Sequence, residues 1–503
     1  MSRISNVIKN AKVGLFFMVI TFALGMASRK LFLDELGPEF IGLTTTLLGI
    51  IGFLSLAEMG LSVAVSSTLY KPLAEKDYKT VNTTIDFLGK AYKLIGLSMV
   101  VLGSIVALFI PYFFPEQEID LSVIYFAYVV FILSVVLEYV FNYRQIILSA
   151  DQKSYVITCW RDGLNITKII LQIGALYVGL GEFAWLSIGV FTSSISIIFI
   201  NRYVNKHYGW LQSTGKGLTR LYKDSSEIVT KTKQLVLHKT GDFVFRSSDS
   251  ILIYKFSELS TVAMIGNATI LSGAIKMLQS AATSGLTASV GNFVSNRSRE
   301  DSFELYRVVR YLYFTIAVFV FFMFGRFVND VIFIWLGSNY ILPQEFVFII
   351  SLNLYFMISR GANDTFIQAY GLFSDTKAPL FEVIINLIAS IAFGLYFGPV
   401  GVLFGTALSV FFIVIIWKSY FLCKKAFYLP WRSIAYSLIS ELVVVCIVYA
   451  TLVDYGFYAF DNKIKWEEAT YFILSGTFAF VVLLIGHSKV RNIMVTKIKR
   501  YKK

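Results

Sequence analysis

The segment Val156-Ile-Thr-Cys-Trp-Arg-Asp-Gly-Leu-Asn-Ile-Thr-Lys-Ile-Ile-Leu-Gln-Ile-Gly-Ala-Leu-Tyr-Val-Gly179 decides the class of this protein. It is mostly apolar, and a helix rising 1.5 Å per residue needs roughly 20 such residues to cross a hydrocarbon layer of ~30 Å. Yet Arg161, Asn165, Lys168 and Gln172 recur at spacings of three and four, which places them on one helical face. A charge at the bilayer centre costs roughly 2.5–3.5 kcal/mol on insertion scales, so such a face must meet protein or water rather than lipid. The segment reads as a membrane span with a polar face turned inward.

About fourteen stretches of this kind fill the 503 residues, near 11–29, 41–68, 91–113, 121–148, 156–179, 183–203, 239–255, 261–293, 309–335, 345–369, 378–397, 400–422, 433–453 and 469–487. Composition agrees: 56% of residues are hydrophobic and 15% charged, with a mean hydropathy of +0.68, against about 25% charged in soluble domains. The net charge of +13 sits in short loops between spans, where it orients the chain against an anionic leaflet, so nucleic acid is not an expected partner. Basic residues fall in alternate loops, on the side of both termini, while Pro115 to Asp120 on the other side has three acids and no base. Both termini are therefore expected in the cytoplasm. Arg3, Lys9 and Lys12 precede the apolar run Val13 to Ala27, but Arg29-Lys30 follows in place of a small-residue cleavage site, which predicts an uncleaved first helix.

Six crossings return the chain to the side on which it began, so two six-helix halves would be parallel repeats. Gly60-Leu-Ser-Val-Ala-Val65 is echoed by Gly285-Leu-Thr-Ala-Ser-Val290, each followed by a charged turn. The expected organisation is an N-terminal bundle over 1–204, a cytoplasmic amphipathic linker over 205–238, a C-terminal bundle over 239–422, two additional spans over 423–488 and a basic tail over 489–503. The linker mixes bases with Trp210, Leu218, Leu221 and Ile228; it suits either an interfacial helix or a solvated hinge.

Polar stripes at helical spacing recur in other spans. Glu138, Asn142, Gln145 and Ser149 form one; Asp242, Arg246 and Asp249 another; Ser272, Lys276, Gln279 and Thr283 a third. Asn353, Arg360, Asp364 and Gln368 form a fourth, Glu382 and Asn386 a fifth, and Ser55, Glu58, Ser62 and Ser66 a sixth. Two readings stand side by side. The charges pair as buried glue, for which Asp242–Arg246, Arg246–Asp249 and Arg360–Asp364 have the right spacing. Alternatively they line a wet chamber, for which Lys168 and Lys276 are the stronger candidates, having no carboxylate one turn away. Arg29 lies at a span end and could snorkel. Arginine and lysine suit an anion, since guanidinium groups bind phosphate oxygens in pairs. Arg29, Arg161, Lys168, Arg246, Lys276 and Arg360 are the candidate substrate-binding cations, and Glu58, Glu138, Asp242, Asp249, Asp364 and Glu382 the candidate coupling or pairing acids.

The stretch Arg29-Lys-Leu-Phe to Leu36-Gly-Pro-Glu-Phe-Ile-Gly-Leu43, then Leu54-Ser-Leu-Ala-Glu-Met-Gly-Leu61 and Leu69-Tyr-Lys-Pro-Leu-Ala-Glu-Lys-Asp77, resembles the start of Wzx-type polysaccharide flippases. Ser248-Asp-Ser-Ile-Leu-Ile253 through Ala263-Met-Ile-Gly-Asn267 to Gly291-Asn292 resembles the opening of their second half. These belong to the multidrug/oligosaccharidyl-lipid/polysaccharide exporter superfamily. The resemblance implies an all-α membrane protein of two bundles in a V, working by alternating access. It also implies transfer of an undecaprenyl-pyrophosphate-linked repeat unit across the bacterial inner membrane. Its expected partners are that lipid-linked oligosaccharide, membrane lipids, a polysaccharide polymerase and a chain-length regulator. The first, second, seventh and eighth spans would line the cavity and place Arg29, Glu58, Arg246, Asp249 and Lys276 there.

A multidrug exporter of the same superfamily is the first alternative, although the first span, Val13 to Ser28, holds no acid. A membrane-embedded polymerase or ligase is the second, and the short outward loops speak against it. Cys159, Cys423 and Cys446 show no metal spacing, the three histidines lie near span ends or in loops, and no Walker motif is present. Neither a cofactor nor a metal is expected, and the energy source would be an ion gradient (H+ or Na+) or the membrane potential.

Overall fold

The computed structural model describes residues 3–58, 60–114, 119–217, 221–222, 228–229, 232, 247–283, 286–372, 375, 377–454, 470 and 477. Asp242, Arg246, the basic tail and nearly all of the fourteenth expected span lie outside the described residues. The described residues form helices, turns and loops, with no strand. Eight helical runs among them are long and apolar enough to cross a membrane, the length and composition of a multi-pass membrane protein. The chain separates into two compact units, the first comprising Met1–Tyr254 and Glu258–Ala263, the second Lys255–Ser257 and Met264–Lys503.

The first unit holds α1 (Arg3–Leu54), α2 (Leu61–Glu75), α3 (Tyr78–Phe113), α4 (Leu121–Asn142), α5 (Ile146–Ala150), α6 (Ser154–Tyr177) and α7 (Gly181–His207). Two expected spans join into the continuous run of α1, broken at Gly37, whose φ of 79° and ψ of 155° interrupt the helix before Pro38. Glycine adopts that φ without the Cβ penalty, and proline then supplies a favourable start for the second segment. The second expected span is itself discontinuous. It tightens into a 3-10 turn at Ser55–Glu58, and α2 restarts after Gly60, at φ 100°. Gly42 lies where α1 meets the chain at Leu259, with no room for a side chain.

Helix α3 has 36 residues, roughly 54 Å at 1.5 Å per residue, more than a bilayer core needs. Its surplus is the charged start around Lys79, Asp86, Lys90 and Lys93. There α2, α3, α5 and the ends of α6 and α7 enclose an apolar core that includes Leu69, Val81, Ile85, Leu88, Ile147 and Val204. Leu211, Leu221 and Ile228 of the expected linker are buried in the same core. Polar contacts fasten the strap 208–217 onto α3. Asn82 donates to the Trp210 carbonyl at 3.3 Å and accepts from the Gln212 amide at 3.3 Å. Asp86 accepts from Ser213 Oγ at 3.0 Å, Thr214 N at 3.1 Å and Thr214 Oγ1 at 2.6 Å, and Lys90 donates to the Lys216 carbonyl. Tyr208, at the start of the strap, donates to Asp151 Oδ2 at 2.6 Å. Burial, then the Asp151 carboxylate, pushes its phenol above the ordinary range.

In the second unit, α8 (Leu259–Thr283, shared at its start with the first unit) leads to α9 (Leu286–Asn296), α10 (Arg299–Leu336), α11 (Gln344–Ser359) and α12 (Gly361–Ala369). The long run from α13 (Lys377–Ser409) breaks at Gly398, φ 60°, before Pro399, continues through π-helical turns at Val410–Trp417 and Cys423–Phe427 around α14 (Lys418–Leu422), and precedes α15 (Arg432–Asp454). Both copies of the short sequence echo open a helix, α2 at Leu61 and α9 at Leu286. Helix α10 packs on α11 and α15, and α13 on α11.

Candidate functional site

The polar faces of α4 and α6 meet in the first unit. With α7 they enclose a cavity of about 390 Å³. Glu138 and Asn142 come from α4, Arg161, Asp162, Asn165 and Lys168 from α6, and Thr192, Ser193 and Ser196 from α7. The 3.6-residue period brings each set to one face, and α6 packs against both α1 and α7. Arg161 Nη2 donates to Glu138 Oε1 and, at 3.1 Å, to Gln145 Oε1. Both members of that ion pair are half exposed, so its net worth is at most about 1 kcal/mol. Lys168, half-buried, has no ion pair or hydrogen bond among the described residues.

Three hydroxyls on this wall are already spent as donors. Ser134 Oγ donates to the Val130 carbonyl at 2.8 Å, Thr192 Oγ1 to Ile188 at 2.8 Å and Ser193 Oγ to Gly189 at 2.9 Å. What they offer the cavity is lone pairs. Asn142 is 2% exposed, and its Oδ1 is buried without a hydrogen-bond donor. Two cations (Arg161, Lys168) and two acids (Glu138, Asp162) line the space, so its charge balances.

The second unit holds a tighter network. Arg310 on α10 donates from Nε and Nη2 to the two carboxylate oxygens of Glu441 on α15, at 2.9 and 2.8 Å, and both side chains are nearly buried. This fork-to-fork geometry is the strong form of an ion pair. Arg310 Nη1 and Ser359 Oγ are buried with no partner at hydrogen-bond distance among the described residues, and their side chains border a space of about 20 Å³, enough for one water molecule. Next to it, Arg360 Nε donates to Asp364 Oδ2 at 3.0 Å and Lys418 Nζ to Asp364 Oδ1 at 3.3 Å. Asn363 accepts from Tyr306 at 2.7 Å and donates to the Val414 carbonyl at 3.0 Å.

The structure thus brings Glu138, Arg161 and Lys168 together, and pairs Arg360 with Asp364. Glu58 sits at the break between α1 and α2, where Tyr92 of α3 donates to its Oε1 at 2.6 Å. Arg29 on α1, Asp249 in the helical residues 247–255 and Lys276 on α8 are half-buried, and none of them lines the first-unit cavity. Glu382 on α13 is buried one turn from Asn386, whose amide donates to Thr406 Oγ1 at 3.0 Å. Sequence reasoning missed Arg310, Glu441 and Lys418. It also missed Arg326–Asp330, an i,i+4 pair at 2.6 Å that spacing alone could have revealed. Glu441 could have been flagged as a charge in an apolar span, but its partner is 131 positions away.

No family model and no curated protein sequence matches the chain. Solved structures do. The lipid II flippase MurJ in an inward closed conformation superposes with a TM-score of 0.65 at 16% identity, covering 95% of this chain and 100% of that one. An inward-facing multidrug resistance MATE family transporter of the MOP superfamily gives 0.61 at 14%, with 86% and 96% covered. A MOP superfamily transporter from Pyrococcus furiosus gives 0.53 at 14%, with 83% and 95% covered. The fold of this chain is the all-helical fold shared by the MurJ and MATE transporters.

Proposed function

We propose that this protein is a transporter that flips an undecaprenyl-pyrophosphate-linked oligosaccharide repeat unit across the bacterial inner membrane for surface polysaccharide synthesis. The observation that carries the reading is a polar cavity built from charged helical faces within a MurJ- and MATE-like fold. A flippase for a lipid-linked substrate is among the structures it resembles over nearly its full length, and the resemblance of its sequence to Wzx-type flippases points the same way. On this reading the chain sits in the inner membrane with both termini in the cytoplasm, and the candidate cations among Arg29, Arg161, Lys168, Arg246, Lys276 and Arg360 meet the substrate. We assign the coupling role to Glu58, an acid at a helix discontinuity, the kind of place where transporters hold ions. Glu58→Gln keeps an acceptor for Tyr92 and should leave transport insensitive to the ion gradient.

The MATE-like neighbours favour a second reading, export of drugs or other small molecules. Deletion of the gene separates the two. Loss of surface polysaccharide, with lipid-linked repeat units accumulating in the inner membrane, is the expected result. Drug hypersensitivity with intact surface polysaccharide would overturn the flippase reading in favour of the exporter. The neighbours are transporters, which supports transport over a polymerase or ligase reaction.

A further inference from the structure

We propose that the cavity between α4, α6 and α7 is a saccharide subsite: it takes the sugar hydroxyls of the cargo and not its pyrophosphate. This rests on the flippase reading above and adds which part of the cargo the first unit holds. Size allows it, since about 390 Å³ lies within the roughly 300–1,000 Å³ range of small-ligand pockets, suited to one or two sugar rings and too small for a polyprenyl carrier.

Charge and hydrogen-bond inventory decide the class. Glu138 and Asp162 stand in the same cavity as Arg161 and Lys168, and Arg161 is already occupied by Glu138 and Gln145. With Arg161 and Glu138 satisfying each other, a pyrophosphate brought here would lie beside the Asp162 carboxylate with Lys168 as its one unpaired cation, and an organic cation would lie beside that lysine. A neutral ligand suffers neither repulsion. The wall carries donors in Lys168 and Asn165, and it also presents acceptors that have no donor left of their own. Asn142 Oδ1 is buried and unpartnered, and Ser134, Thr192 and Ser193 have given their hydrogens to their own helices. An ionised phosphate has only acceptors and cannot satisfy these atoms. A sugar hydroxyl both donates and accepts, so one ring can accept from Lys168 Nζ and the Asn165 amide and donate to Asn142 Oδ1 once the Asn142 side chain turns toward the cavity it lines.

The test uses full-length protein in lipid nanodiscs and two probes. These are undecaprenyl pyrophosphate without sugar, and the lipid-linked saccharides extracted from the cells that make this protein. Binding is read by native mass spectrometry, and unfolding of the ligand-free protein by its melting temperature. The wild type should prefer the saccharide-bearing lipid. Asn142→Leu should lower that preference about tenfold, the worth of one or two hydrogen bonds, leave binding of the bare lipid unchanged, and not lower the melting temperature, because it removes an unsatisfied buried acceptor. Asn165→Ala, on the half-buried face of α6, should lower the preference too and serves if Asn142→Leu misfolds. Equal loss of both lipids would place the pyrophosphate here and overturn the proposal, as would an undiminished saccharide preference in both variants. If the wild type binds neither lipid, the flippase reading itself fails, and the subsite with it.

Discussion

Replacing Asp86 by Ala should release the strap from α3 without unfolding α3 itself. The Asp86 carboxylate gathers Ser213 Oγ, Thr214 N and Thr214 Oγ1 within 3.1 Å, and hydrogen bonds to a charged acceptor are each worth about 1.5–3 kcal/mol. Ser213 is exposed and rehydrates on opening, so the two Thr214 bonds carry most of the effect. Allowing for their coupling, the loss is about 3 kcal/mol, or opening about a hundredfold more frequent. The apolar anchors Leu211, Leu221 and Ile228 stay buried in the core, and each contributes roughly 1.5–3 kcal/mol, so the release is local. Hydrogen exchange in nanodiscs would read it as lost protection of the Thr214 amide, and trypsin as faster cleavage after Lys216. Asp86→Asn, which keeps an acceptor but not the charge, should fall between wild type and Asp86→Ala. Unchanged exchange across 211–216 in Asp86→Ala would refute the reasoning, because it would mean that the apolar anchors alone hold the strap.

Glu441→Ala strands Arg310 in a nearly dry site and should cost about 3–5 kcal/mol of stability, whereas the apolar pair Arg310→Met with Glu441→Leu should recover most of it; melting of the single and double variants checks this. Gly42→Ala should be strongly destabilising, since its Cβ would overlap the Leu259 carbonyl and backbone yields less readily than a side chain; expression and melting report it. Asp77 accepts from Thr80 Oγ1 at 2.5 Å and, capping α3, from Thr80 N at 3.1 Å, and these bonds hold its carboxyl below the usual carboxylate range. A depressed value means the cap contributes above the unfolded pKa and is lost as pH falls through the folded one. Protection of the first turn of α3, taken relative to the intrinsic exchange rate at each pH, should therefore fall on acidification below about pH 4, and Asp77→Asn should flatten that dependence.

How far the chain could be read in advance depended on how local each contact is. Arg360 and Asp364 lie four residues apart on one helix, and their ion pair follows from spacing. Glu138 and Arg161 were legible as members of two polar faces, but that those faces meet each other, and pair, required the packing of α4, α6 and α7. The second expected span reads as one uninterrupted helix with a polar stripe, and only the backbone at Ser55–Glu58 and at Gly60 reveals that it stops and restarts. Hydropathy cannot report such a break, because the average over the segments on both sides remains apolar and the polar residues keep their helical spacing across it. The linker pattern of bases and large apolar residues suggested a membrane surface or a hinge; Leu211, Leu221 and Ile228 lie in a protein core, a placement that composition does not encode.

By itself the amino-acid sequence determined that this is a multi-span helical protein with polar faces that lipid cannot solvate, because span length and the cost of burying charge are properties of single segments. Which faces meet was decided only by tertiary structure. It joined Arg310 to Glu441 across 131 positions, left Lys168 and the Asn142 oxygen without partners among the described residues of the first-unit cavity, and balanced that cavity's charge. The physical reason is that a buried polar group is satisfied by whatever stands within about 3 Å in space, a distance that separation along the chain does not measure.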